Sequence, residues 1–532
     1  LRAGRDLLVQ TQVGASLAGT STLNATRDLL LSAVNGNLTM TGVSILTSQT
    51  GRMDLLPTQG DITLSGQSTL ISQLALQMAI DTGSVTVQGE TLARANAGAL
   101  TVQVGTGHIG LQGQSTLEGD AVNVAITSTG GVTATDTTTV RADTTDLTVS
   151  VNQGSVLASG ASTLSAQRAL TVSATTGQVR LSGASTLSTM DAALSVTVTT
   201  GNVILTQAST LRSGTDTNIS VQTGLLSASG ATTVNAGQDI VMAVTNGNVG
   251  LSNATTMVAG RDLSMTQGHG NFTASGLTSL SSGRDMVLHQ TTGNATFSNT
   301  SALAAGRDLS MTVTTGDVLA TGDTHLTAER DQTVAVTTGN VGFDGTTVAT
   351  AGQDYRLAVT TGNLSFVGTS TVAAQRDATI EIGTGHVKFD GTTSLGAVTR
   401  NLSATVGTGN VDFVGTSTLT AGADQSLNVT TGNVVFDGTT VATPVTTGAV
   451  FNGMVSGDQL TVATSTGTFA DKNVGQAKAV SLGGMTLGGA DAGNYTLANA
   501  TASTTATITP ASITGITGIE TASKTYDATT AA

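Results

Sequence analysis

A glycine returns nineteen times along this chain at a nearly constant interval of about 23 residues: Gly14, Gly36, Gly60, Gly83, Gly107, Gly130, Gly154, Gly177, Gly201, Gly224, Gly247, Gly270, Gly293, Gly316, Gly339, Gly362, Gly385, Gly409 and Gly432. A fixed period in the range of about 20 to 50 residues marks an architecture in which each unit buries its apolar face only against its neighbours. The chain is therefore expected to be a solenoid of about nineteen coils.

The residues between the glycines decide which solenoid. In Gly306-Arg-Asp-Leu-Ser-Met-Thr-Val-Thr-Thr-Gly316, Leu309, Met311 and Val313 alternate with Ser310, Thr312 and Thr314. That is the period of two of a half-buried strand, where a helix would show 3.6. A second apolar pair follows each glycine, as Val341 and Phe343 do in Asn340-Val-Gly-Phe-Asp344. A third short run is Thr-Thr-Val at 346–348 or Ser-Thr-Leu at 185–187. Three short strands per repeat, with no leucine-rich or helical repeat signature, predict an all-β, right-handed parallel β-helix. At roughly 4.8 Å per coil, nineteen coils make a rod on the order of 90 Å long.

The 532 residues carry a net charge of −14, and lysine does not occur before Lys388, the other three lying at Lys472, Lys478 and Lys524. A nucleic-acid ligand needs a basic stripe to neutralise its phosphates, so none is expected. No apolar run approaches the roughly 18 residues that a spanning helix needs, so no membrane span is expected either. Cysteine is absent, which removes disulfides and thiolate metal sites, and aromatic residues make up only 2% with no Trp. The chain opens at Leu1 without a start methionine or a signal-like segment, and it is taken as an internal piece of a longer protein.

Several columns invite a ligand reading. Asp239, Asp262, Asp285, Asp308, Asp331, Asp354 and Asp377 recur once per repeat, with Arg261, Arg284, Arg307, Arg330 and Arg376 beside them. A calcium stripe would require the Gly-Gly-x-Gly-x-Asp pattern of metal-binding β-rolls, which is missing, so these are expected to form a turn with arginines screening the carboxylates. Asn202, Asn248, Asn271, Asn294, Asn340, Asn363, Asn410 and Asn433 mark a turn whose amides can bond from coil to coil. Phe297, Phe343, Phe366, Phe389, Phe413 and Phe436 share one phase and are expected to stack inside. The five histidines, His108, His269, His289, His325 and His386, show no zinc-type pairing and are taken as solvated substitutions. Outward threonines such as Thr312, Thr314 and Thr315 are ordinary strand-surface residues before they are an ice-binding array. No catalytic, cofactor-binding or metal residue is assigned, and no cofactor is expected.

The ruler stops near Phe436, Pro444 interrupts the pattern, and Phe436-Asp-Gly-Thr-Thr440 is echoed 90 residues later by Tyr526-Asp-Ala-Thr-Thr530. The expected organisation is a shaft at 1–435, a β-rich module at 436–525, and the truncated start of a further repeat at 526–532. Phe469-Ala-Asp-Lys-Asn-Val-Gly475, Gly489-Ala-Asp-Ala-Gly-Asn-Tyr-Thr-Leu497, Ala506-Thr-Ile-Thr-Pro-Ala511 and Lys524-Thr-Tyr-Asp527 resemble the tandem YDG repeats of large filamentous-haemagglutinin-like bacterial exoproteins. Phe436 and Ala528 depart from that family's usual Tyr and Gly. The resemblance implies a secreted surface adhesin, exported by two-partner secretion through an outer-membrane transporter, whose partners are host or neighbouring-cell receptors or glycans. A structural shaft, not an enzyme, is the expected role. The alternatives are a polysaccharide-degrading β-helix enzyme, which would need long loops building a cleft, and a self-associating biofilm matrix protein.

Overall fold

Alternating inward and outward side chains can be buried on one face only if successive coils stack strand over strand, and the computed structural model does this throughout. It describes residues 1–436, 441–442, 451–470 and 475–508. Fifty-three strands pair in parallel, each with its counterpart one coil earlier and one coil later, up to the strand Val434–Phe436. The result is a parallel β-solenoid of about nineteen turns with about 23 residues per coil. No α-helix occurs among the described residues, and no helix there is long and apolar enough to cross a membrane.

One coil shows the plan. The seven-residue strand Leu309–Thr315 lies in register between Met286–Thr292 and Gln332–Thr338. The three-residue strand Val318–Ala320 lies between Ala295–Phe297 and Val341–Gly345. The third, His325–Ala328, lies between Ala302–Ala305 and Val348–Ala351. Leu309, Met311, Val313, Val318, Ala320, Leu326 and Ala328 all point inward and are buried, so this coil supplies a ring of seven apolar side chains. Some coils smooth a corner into continuous strand, as in Leu170–Leu181 and Leu194–Leu205 at the first corner and Val387–Ala397 at the second.

Two of the corners are built on positive φ, and they tolerate different residues. The ruler glycines lie at φ near +140°, for example +149° at Gly130, a region closed to residues with a Cβ. A second glycine column, unrecognised in the sequence, runs through Gly19, Gly42, Gly66, Gly89 and Gly113 at φ of 68° to 78°. That is the ordinary left-handed region, which Asn and Asp also enter, and Asp136, Gln207, Asn253 and Asn299 occupy it in the same column. The side chains contribute there, since Asp136 Oδ2 and Gln207 Oε1 accept the backbone N–H of Gly113 and Gly183 in the preceding coils.

Beyond the solenoid, the strands Val441–Ala442, Thr461–Phe469, Gly475–Gly488 and Ala502–Ile508 form a separate four-stranded antiparallel sheet. The expected further repeat at 526–532, together with Pro510, Lys524 and Tyr526, lies outside the described residues.

Candidate functional site

Four constructions on the rod concentrate polar chemistry, and each grows from one position of the repeat. The first is the carboxylate column. Each aspartate accepts at its Oδ1 the backbone N–H of the residue at the same position one coil on, as Asp239 does for Asp262, Asp262 for Asp285 and Asp377 for Asn401. The arginine of that next coil then forks onto the same carboxylate: Arg261 Nε to Asp239 Oδ1 at 2.8 Å, Arg284 to Asp262 at 3.0 Å and Arg307 to Asp285 at 2.7 Å, each with a second bond from Nη2 to Oδ2. Sequence neighbours meet less closely, Arg261 Nε standing 3.9 Å from Asp262. The expected screening is thus real, but it runs between coils.

The bond to the arginine of the next coil holds Asp239, Asp262, Asp285 and Asp354 below the ordinary carboxylate value, with burial opposing it. The same fork opens the solenoid, where Arg27 grips Asp6 and Asp28 N–H bonds its Oδ1. Arg5-Asp6 and Arg27-Asp28 share the phase of the later pairs, a signal the sequence already held. The column gathers no cluster of three or more His, Cys, Asp or Glu suited to a metal ion among the described residues. Where the fork forms, as at Asp239, Asp262, Asp285, Asp308 and Asp354, guanidinium and backbone donors share the carboxylate and it acts as a rivet between coils.

The second construction follows each ruler glycine. Asn37 Oδ1 accepts the N–H of Asp61, Asp61 that of Ser84, and the series continues through Asn248, Asn271, Asn294, Asn340 and Asn363. Side-chain-to-side-chain bonds are the minority: Asn363 Nδ2 donates to the Asn340 amide Oδ1 at 3.1 Å, and Asn340 Nδ2 to the Asp317 carboxylate at 3.0 Å. Two histidines expected to be solvated substitutions are rungs of this ladder. His108 Nδ1 accepts the N–H of Gly131 at 3.1 Å, and His386 Nδ1 that of Asn410 at 3.1 Å. An imidazole ring nitrogen occupies the place of an amide oxygen, which fixes the tautomer with the proton on Nε2.

Inside the second corner runs a column of buried hydroxyls that the sequence had presented only as strand residues. Ser68, Thr255, Thr278 and Ser301 are buried, and each hydroxyl donates to the carbonyl three residues back at 2.7 to 2.8 Å. Such a bond closes a tight turn locally.

The fourth construction is a groove of about 1010 Å³ over the third sheet and its corner. It crosses several coils and exists because Ser165, Ser188, Gly214, Gly237 and Gly260 keep its floor low. Its ionisable groups are Arg141, Asp143 and Arg212. Arg141 is already held by Glu118 and by Asp143, at 2.7 Å from Nε. Burial, with Glu118 beside it, lifts the Asp143 carboxyl above its ordinary value.

In the C-terminal sheet the Gly489–Leu497 motif forms a clasp. The phenol of Tyr495 donates to Asp458 and accepts the N–H of Val455 at 2.9 Å. Asp491 Oδ2 accepts the N–H of Gln459 at 2.8 Å. The motif's acidic and aromatic positions therefore tie the 451–459 loop to the turn at Ala492–Asn494.

The YDG domain family model matches residues 425–506. The match begins in the last coil, within the strand Gln425–Thr431, and ends in the last described strand of the antiparallel sheet. No curated protein and no solved structure matches the chain. A parallel β-solenoid joined to a YDG domain fits a large adhesin-like protein.

Proposed function

We propose that this chain is the shaft and an adjoining module of a secreted bacterial surface adhesin of the filamentous-haemagglutinin-like class, exported by two-partner secretion through an outer-membrane transporter. The observation that carries this reading is evenness. The parallel ladder runs from the first strands to Val434–Phe436 with a nearly constant spacing between its corner glycines. Such a rod converts chain length into reach, and the YDG match at its end supplies the family context.

The same evenness supports the proposal of a non-enzymatic role. A polysaccharide-cleaving β-helix needs loops inserted into several coils to build walls around its substrate. Here the groove's carboxylate, Asp143, is tied to Arg141, and no coil carries a long insertion. In this reading the partners are receptors or glycans on host or neighbouring cells, engaged by modules that the rod holds away from the bacterial surface. Electron microscopy of the purified chain is the direct test. Thin rods on the order of 90 Å are expected, and compact particles would refute the shaft reading. Surface display with and without the companion transporter tests the export route.

A further inference from the structure

One inward column changes chemistry in the middle of the solenoid. Val198, Val221, Val244, Gln267, Gln290, Val313 and Val336 occupy the same register position in seven successive coils. Two glutamines thus stand where valines pack above and below. Gln267 is 4% exposed and Gln290 1%. Each Nε2 donates to the corner-glycine carbonyl of the preceding coil, Gln267 to Gly247 at 2.6 Å and Gln290 to Gly270 at 2.7 Å. Neither Oε1 has a protein donor. A buried amide oxygen without a donor is costly, so two in adjacent coils demand a partner.

The space beside them is suited to one. A small cavity walled by Met242, Val249, Met265, Phe272 and Leu288 reaches both amides, with about 10 Å³ for the centre of a water-sized molecule. That is about the room one water occupies. We propose that this cavity is a binding site for a single water molecule that donates one hydrogen bond to Gln267 Oε1 and one to Gln290 Oε1. The geometry is favourable: coils stand roughly 4.8 Å apart. A molecule about 2.8 Å from an acceptor in each coil spans an angle of roughly 120°, close to that between the two O–H bonds of water. An apolar guest would leave both acceptors bare. A metal cation would find two oxygens and an apolar wall, far short of the six or more ligands that hard cations such as calcium take.

The site also marks register. Neighbouring coils of the solenoid are nearly interchangeable, and a coil paired out of turn would still bury valine on valine at this position. Only the correct neighbours complete the two-glutamine site, so a misplaced coil faces an amide with a methyl group. A buried polar residue specifies register in coiled coils in the same way.

Two measurements test the proposal on the full chain. A high-resolution crystal structure should show an ordered solvent peak within about 2.7–3.2 Å of both Oε1 atoms. An empty cavity, or a bound cation with shorter contacts, overturns it. A double-mutant cycle gives the second readout. Gln267→Leu and Gln290→Leu alone each strand the remaining amide and should lower the denaturation midpoint. The double variant rebuilds an apolar column and should recover most of that loss. A double-variant loss equal to the sum of the singles would show that no shared ligand links the two side chains.

Discussion

Gly130 sits over Gly107 with no room between them: a Cβ on Gly130 would overlap the carbonyl oxygen of Gly107, with the Gly107 carbonyl carbon at 2.6 Å. The same relation repeats at Gly154 over Gly130 and Gly177 over Gly154, so the ruler in the sequence is the trace of a backbone column that admits no side chain. Gly130→Ala should therefore cost roughly 3 kcal/mol or more, from backbone strain at φ +149° and from the displaced neighbouring coil. Gly276→Asn, in the second glycine column at φ +69° between Asn253 and Asn299, should cost less than about 1 kcal/mol. Denaturant titration of the two variants checks the contrast, and equal losses would contradict it.

Phe343, Phe366, Phe389 and Phe413 form a continuous stack with ring centroids 5.3, 5.1 and 5.0 Å apart and planes within 8° of parallel. Phe366, buried and flanked on both sides, is its centre. Phe366→Ala should destabilise by about 3–5 kcal/mol, and Phe366→Leu by about half of that. Phe413, only partly buried near the end of the solenoid, should cost less on truncation to alanine. Because coils unfold locally, hydrogen exchange in Leu364–Gly368 and Val387–Ala397 is the appropriate measure. Uniform protection across both variants would count against the stack as a local clamp.

The period, the three strands and the inward apolar rings were legible in the sequence because each obeys a repeat that single residues announce. What escaped was pairing between coils. Arg284 lies beside Asp285 in sequence, yet it grips Asp262, since stacking brings residues 22 apart closer than neighbours on one strand edge. Phe297 shares the phase of the phenylalanine column, but Ala320 separates it from Phe343, and it packs instead at 5.5 Å against Phe272, from a different position of the repeat. The buried glutamines were hidden for a related reason. Gln267 and Gln290 sit at strand positions that alternation alone marks as apolar, so their polarity looks like noise until the register puts them together.

Tyr495 should behave as the latch of the C-terminal clasp. Its hydrogen bond to Asp458 raises the phenol above its ordinary value of 10, opposed by the Val455 N–H. A spectroscopic titration of the native chain minus Tyr495→Phe should give a midpoint above 10 for this phenol. The variant should also speed amide exchange at Val455, which loses its acceptor, while strand amides in Ala502–Ile508 stay unchanged. A midpoint at or below 10 would mean that the phenol does not engage Asp458 in solution.

The aspartate column makes the rod sensitive to acid. Asp239, Asp262, Asp285 and Asp354 are held below their ordinary value of 3.8, first by the arginine bond and further by the backbone N–H, against the opposing effect of burial. A group whose folded value lies below its unfolded one stabilises the fold above the unfolded value and loses that contribution as the pH falls through the lowered folded value. The native chain should therefore be near full stability at pH 5 and weaken progressively below about pH 4. Asp285→Asn retains an oxygen for the Asp308 N–H but loses the charge gripped by Arg307. With the carboxylate side chain 24% exposed, solvent screening limits the cost to about 1 kcal/mol or less at pH 7. Asp285→Ala removes both partners and should cost more. The decisive measurement is the pH dependence of local unfolding. Asp285→Asn should flatten the loss of protection below pH 4 around Met286–Thr292 and leave the coil at Thr148 unaffected, whereas an unchanged acid profile at both places would assign the acid sensitivity to other groups.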